Sequence, residues 1–170
     1  MTHRVVIGRI GLFCLFGLSS VTAMAQTERE NLSVDSMVEK LAPAPKTRSL
    51  TRNLVPTLAK LDLTIHFDFN SDKLQDRSKP LLDNLASAMK NDRLSELRFR
   101  VEGHTDAKGT AAYNEALSKR RADAVISYLS QQGITTGRLQ PEGKGFRELF
   151  DAANPQAETN RRVTIVSLEN

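Results

Sequence analysis

The fold is decided by the stretch LRFRVEGHTDAKGTAAYNEALSKRRADAVISYLSQQG (residues 97–133). Apolar residues alternate with charged ones over residues 97–102, which predicts a strand with one buried face. Residues 113–132 then carry apolar side chains at helical spacing, and Gly133 after them is a natural helix stop. A strand, a short loop and a helix in this order predict one unit of an α/β fold.

The same reading extends outward from this unit in both directions. Alternation or helical spacing predicts a half-buried strand at 63–67, an amphipathic helix at 79–90, a short edge strand at 138–142 and a last strand at 163–168. The resulting order, β-α-β-α-β-β, predicts an α/β fold in which helices cover one face of a sheet.

Composition limits the class of protein. The chain has 170 residues, of which 39% are hydrophobic, enough for one folded domain with an appendage. The net charge of +4 is too modest to indicate a nucleic-acid partner, and the basic Lys119–Arg121 run has no interleaved aromatic platform. A single cysteine excludes a disulfide framework and a thiolate-rich zinc site.

Residues 1–25 predict a cleaved signal peptide. Arg4 and Arg9 form a positive start, residues 10–18 are apolar, and Ala23–Ala25 has the small-x-small form of a cleavage site. An uncleaved anchor is the alternative, but the apolar run is much shorter than the roughly 20 residues a membrane span needs. We therefore expect export from the cytoplasm.

Residues 26–60 predict a proline-containing linker ahead of a domain at 61–170. Apolar residues at helical spacing indicate one short helix, which Pro43 would end. We expect a solvated tether, with docking of this segment on a partner as the alternative.

The loop after the central strand carries the candidate chemistry. Gly103–Asp106 follows the strand directly, at the end where ligands bind to α/β sheets. On the next helix, Asn114 and Arg121 share a face with Leu117. An arginine on an apolar face must be paired or reach a ligand, because an unpaired buried charge is costly. A structural Asp106–Arg121 ion pair and a ligand site that uses both residues remain open.

Residues 61–170 resemble the OmpA-like C-terminal domain, the peptidoglycan-binding module of outer-membrane proteins, peptidoglycan-associated lipoproteins and flagellar stator proteins. The resemblance is carried by IHFDFNSDKL (65–74), VEGHTDAKGTAAYNEALSKRRADAV (101–125) and NRRVTIV (160–166). It implies a two-layer β-α-β-α-β-β sandwich with the helices on one face of a mixed sheet. The stretch 146–159 departs from the commoner family pattern.

The resemblance also implies a ligand, the peptide stem of peptidoglycan, held by the free end of its meso-diaminopimelate. That end carries an ammonium and a carboxylate on one carbon. Asp106 would accept hydrogen bonds from the ammonium, and Arg121 would bind the carboxylate. Of the doublet Arg161 and Arg162 only one can face the ligand, and we expect Arg162. The full implied set is Asp106, Arg121, Asp68, Asn70, Thr105, Asn114, Leu117 and Arg162.

The implied function is non-enzymatic. The protein would link an envelope component to the cell wall, in the periplasm and beside the outer membrane, without a cofactor or metal. A second hypothesis is an interaction module that grips an outer-membrane or periplasmic protein through the same cleft or through residues 26–60. A wall hydrolase is a third, based on His104 and Asp106, but no Gly-x-Ser-x-Gly elbow or paired glutamates accompany them.

Overall fold

A computed structural model describes residues 32–43 and 58–168 of the chain. The predicted signal peptide (1–25) and most of the predicted linker (26–60) lie outside the described residues. The helices and strands are α1 (Val34–Leu41), β1 (Lys60–Leu63), α2 (Lys79–Met89), β2 (Arg98–His104), α3 (Ala111–Gln131), β3 (Leu139–Gly145) and β4 (Val163–Leu168). The predicted order of helices and strands after residue 58 is confirmed.

The four strands form one mixed sheet in the order β1-β4-β2-β3. β4 is antiparallel to both β1 and β2, whereas β3 is parallel to β2. Parallel neighbours need a crossover connection, and α3 supplies it. β3 lies at the edge of the sheet, as Pro141 indicates. The predicted α/β sandwich is therefore confirmed.

The sheet has one apolar face and one polar face because side chains alternate along each strand. Leu63 of β1, Val101 of β2 and Ile165 of β4 belong to the buried core that the helices also form. On the opposite face, cross-strand neighbours form a polar row made of Asp62, Thr164, Glu102 and Glu142. The helices thus cover a single face.

β1 is displaced from its prediction. The strand ends at Leu63, where the sequence pattern places the start of a strand over 63–67. Leu63 pairs with Val163, which is the first residue of β4, so the sheet offers no partner further along. Beyond it, Phe67 makes an isolated bridge with Leu74.

α3 lies unusually close to β2 and β3 because glycines face it. A Cβ at Gly103 would stand 2.1 Å from the carbonyl oxygen of Ser118, and one at Gly143 would stand 2.5 Å from that of Glu115. The Ser118 hydroxyl also accepts a 2.9 Å hydrogen bond from the amide of Gly145. This contact holds the first half of α3 against the carboxyl end of β2, where the candidate site lies.

α1 is part of the domain core. Met37 and Leu41 are fully buried, and the hydroxyl of Ser167 donates a 2.6 Å hydrogen bond to the carbonyl oxygen of Leu41. Ser33 caps the helix, which ends at Leu41, two residues before Pro43, within the segment where the sequence pattern places a short helix. Its apolar side is covered by the domain, so the described part of the linker is docked on the domain rather than solvated.

A candidate binding pocket at the carboxyl end of β2

A pocket of about 570 Å³ opens beside the carboxyl end of β2 and the first half of α3. The loop after β1 and the segment before β4 complete its wall. The pocket brings together seven of the eight predicted site residues, namely Asp68, Asn70, Thr105, Asp106, Asn114, Leu117 and Arg121. Residues from three separate parts of the sequence therefore meet around one space.

Asp106 is the acid of the pocket. The residue is 7% exposed, and one carboxylate oxygen accepts a 3.1 Å hydrogen bond from the backbone amide of Lys108. Its second oxygen accepts a 3.0 Å bond from Nη1 of Arg161. A carboxylate offers about four lone-pair sites, so this oxygen pair retains capacity for a ligand.

Arg121 is the buried cation of the pocket, with 9% of the residue exposed. Its Nε donates a 3.1 Å hydrogen bond to the carbonyl oxygen of Ser71, and the guanidinium stands over the ring of Phe67, 4.9 Å from the centroid. Burial lowers the pKa of Arg121, and repulsion from Arg161 lowers it further. Attraction from Asp106 and other neighbours raises it but does not compensate.

The structural Asp106–Arg121 ion pair that the sequence left open does not form in the described part of the chain. Asp106 instead pairs with Arg161, which itself also pairs with Glu158 at 2.9 Å. Arg121 consequently keeps both terminal guanidinium nitrogens without a hydrogen bond to residues 32–43 or 58–168. Such an arginine can form a two-pronged contact with a carboxylate.

Asn114 braces the loop that carries Asp106. Its side-chain nitrogen donates to the carbonyl oxygens of Lys108, at 2.6 Å, and Thr110, at 3.1 Å. Thr105 differs, because its hydroxyl oxygen is buried and has no hydrogen-bond partner among the residues described. An orphaned hydroxyl in a pocket wall is available to a polar ligand group.

The loop of residues 68–73 closes one side of the pocket. The amide of Asp68 donates to the carbonyl oxygen of Lys73 at 2.9 Å, and Asn70 adopts a left-handed conformation with φ of 53°. The hydroxyl of Tyr113 donates to the side-chain oxygen of Asn70, which joins this loop to α3. These contacts leave Phe69 fully exposed at the rim of the pocket.

Arg162 is the one predicted site residue that the structure places outside this pocket, contrary to the expectation that Arg162 and not Arg161 is on the ligand side. Nε of Arg162 donates to Asp62 at 3.2 Å, on the polar face of the sheet, while Arg161 lines the pocket. Alternation counted back from buried Val163 could have found this, because it places Arg161 on the helix side. Tyr113, Phe69 and Lys108 also line the pocket without having been predicted.

His104 belongs to the polar face and not to the pocket. It lies in a group that we call the outer-face cluster, formed by Asp62, Arg100, Glu102, His104, Glu142, Lys144, Glu148, Arg162 and Thr164. The Thr164 hydroxyl donates to Asp62, so the ring Nε2 of His104, 3.2 Å away, must donate to that hydroxyl. Burial and the charge of Arg162 lower the pKa of His104 to about 4.

Among residues 32–43 and 58–168, no helix is both long and apolar enough to span a membrane. Comparison with known proteins identifies relatives. The chain is 35% identical to outer membrane porin F of Pseudomonas aeruginosa over 143 residues, a match to 81% of this chain but only 40% of that protein. It is 31% identical to a peptidoglycan-associated lipoprotein of Buchnera aphidicola over 118 residues, or 67% of each chain.

Solved structures and a family model agree with these relatives. The crystal structure of the peptidoglycan-associated lipoprotein from Burkholderia pseudomallei is similar with a TM-score of 0.53 and 30% identity, covering 61% of this chain and 88% of that one. The OmpA family model matches residues 66–162, which include the loop, the helix and the doublet around the pocket. The chain therefore belongs to the OmpA family.

Proposed function

We propose that this domain binds peptidoglycan without catalysis, by gripping the free end of a diaminopimelate in the peptide stem. One observation carries the proposal. Asp106 and Arg121 carry opposite charges, line the same open pocket, and are not paired with each other. A zwitterionic amino-acid end presents the complementary charges on a single carbon atom.

The contacts follow from the donors and acceptors that remain. The ligand ammonium donates to the carboxylate of Asp106, which accepts hydrogen bonds from both this ammonium and Arg161. The ligand carboxylate accepts from the terminal nitrogens of Arg121, and the stacking of that guanidinium on Phe67 holds it in place. The hydroxyl of Thr105 provides one more polar contact at the same wall.

The relatives support this ligand class. Two of the proteins that this chain resembles are named peptidoglycan-associated lipoproteins. Because the chain spans only 40% of the length of porin F, no property of that whole protein is transferred. We infer that residues 1–25 act as a signal peptide for export and that the protein works in the periplasm, where it joins an envelope component to the wall.

The expected affinity is modest. Each charge-assisted contact contributes about 1.5–3 kcal/mol net. After association costs, two such contacts give dissociation constants in the micromolar to millimolar range. That range suits a module acting on a polymer with many identical sites, since multiple attachments supply retention.

Sedimentation with purified sacculi tests the proposal. Asp106→Ala and Arg121→Ala are each expected to abolish co-sedimentation while keeping the fold, and free meso-diaminopimelate is expected to displace the wild-type protein. Arg120→Ala is the matched control, because Arg120 is exposed and adjacent to Arg121 on α3.

Thermal unfolding of each variant verifies that its fold is intact. Undiminished binding by both folded variants would refute the assignment. Release of soluble muropeptides from labelled sacculi would contradict the non-catalytic part of the proposal and favour a hydrolase.

A further inference from the structure

A second, smaller cavity adjoins the main pocket. It measures about 80 Å³ and shares Phe67, Arg121 and Arg161 with the larger space, so these three side chains form a common wall. Arg77, from the turn before α2, lines the smaller cavity but not the larger space. The volume exceeds the roughly 10–15 Å³ that one water molecule requires, so a compact polar group fits.

The lining of this cavity is rich in positive charge. Three arginines line it, Arg77, Arg121 and Arg161, against one acidic residue, Glu158. Glu158 is committed to Arg161 at 2.9 Å, and its side chain is 61% exposed. Nε of Arg77 donates to the side-chain oxygen of Gln75 at 2.9 Å, which is a neutral partner.

The charges around Arg121 show the same imbalance. Asp106 and Asp72 both attract this guanidinium, yet burial and repulsion from Arg161 outweigh them, so the pKa of Arg121 is lowered on balance. Two arginines that repel each other across a shared wall are stabilised by an anion placed near both.

We infer that the cavity between Arg77, Arg121 and Arg161 is a subsite for a second carboxylate of the ligand, distinct from the carboxylate of the zwitterionic end. The inference rests on the proposed function, since the main pocket must first hold that end. The ligand class narrows accordingly to an acidic peptide with a carboxylate close to its diaminopimelate. Arg77 becomes a specificity-determining residue that contacts this second carboxylate.

Two synthetic peptides test the subsite. The first is a tripeptide of alanine, γ-linked glutamate and meso-diaminopimelate, and the second is the same peptide with every carboxyl group outside the free diaminopimelate end converted to an amide. Dissociation constants are measured by calorimetry with the full chain. We expect amidation to weaken binding to the wild type about tenfold, as one charge-assisted contact is lost.

Arg77→Gln provides the second arm. Arg77 is exposed, so we expect the variant to bind the acidic tripeptide about fivefold more weakly and the amidated one with less than about a twofold change. Arg120→Gln removes the same charge from an exposed position and is expected to leave both constants unchanged.

The outcomes separate the two proposals. Equal binding of both peptides by the wild type, or an equal loss for both with Arg77→Gln, overturns the subsite and leaves the function intact. Failure of the wild type to bind either peptide overturns the subsite and the proposed function together.

Discussion

The adjacent residues Arg161 and Arg162 belong to two charged regions, the pocket and the outer-face cluster. These regions differ in how completely their charges are paired. In the outer-face cluster, each buried charge has opposite charges beside it, as when Glu102 accepts from Arg100 at 2.8 Å and lies 3.6 Å from Lys144. In the pocket, Arg121 lacks an ion pair among the described residues, and Asp106 forms its ion pair with Arg161 instead.

The difference indicates what each region is for. A charged network whose members satisfy one another stabilises a fold but offers little to a ligand, because binding would have to break existing pairs. A pocket that keeps unmatched donors loses stability and gains binding capacity. The pairing pattern, and not the number of charged residues, separates structure from function in this domain.

The largest expected effect is that of low pH on the stability of the outer-face cluster, through His104. The pKa of His104 in the folded protein is about 4, below the ordinary value of 6.5. Between those values the unfolded chain binds a proton that the folded protein does not, so stability falls as the pH drops from 6.5 towards 4. The loss reaches about 3 kcal/mol once both forms would be protonated.

Chemical denaturation at a series of pH values measures this slope. His104→Gln is expected to lose most of it, and an NMR titration of the His104 ring gives its pKa directly. A ring that titrates near 6.5 would mean that the outer-face cluster does not exclude the proton, and the contrast between the two regions would fail.

Removing the central acid of the outer-face cluster is the next largest test. Glu102 is 1% exposed and neighbours Arg100, Lys144 and His104. Glu102→Gln keeps the shape but leaves Arg100 and Lys144 with less negative charge beside them, so we expect the free energy of unfolding to fall by about 2 kcal/mol. Denaturant unfolding measures the loss, and sacculus binding by the folded variant is expected to be unchanged.

The doublet itself supplies the finest test, because its two residues are adjacent and chemically identical. Arg162→Gln removes the 3.2 Å contact with Asp62 and is expected to cost about 1 kcal/mol of stability without affecting binding. Arg161→Gln is expected to weaken sacculus binding at least about threefold, because Arg161 lines the pocket and holds the carboxylate of Asp106. The reverse pattern would exchange the roles that we assign to the two regions.

Local patterns in the sequence were sufficient for most of the fold. α2, α3 and β2 follow from apolar spacing, and Asp106 and Arg121 come together because a short loop joins β2 to α3. The boundary of β1 was missed, because a strand extends only as far as its partner does, and Leu63 already pairs with the first residue of β4. The pattern over 63–67 contains no information about that partner.

Periodicity and chain order by themselves determined the layered architecture, the position of the polar loop, and the placement of an acid and an arginine on neighbouring elements. Tertiary structure alone decided that Asp106 pairs with Arg161 and that α1 docks on the domain. The first set depends on residues close along the chain. The second depends on charges and apolar surfaces that meet only after folding, when burial determines which neighbour each group reaches.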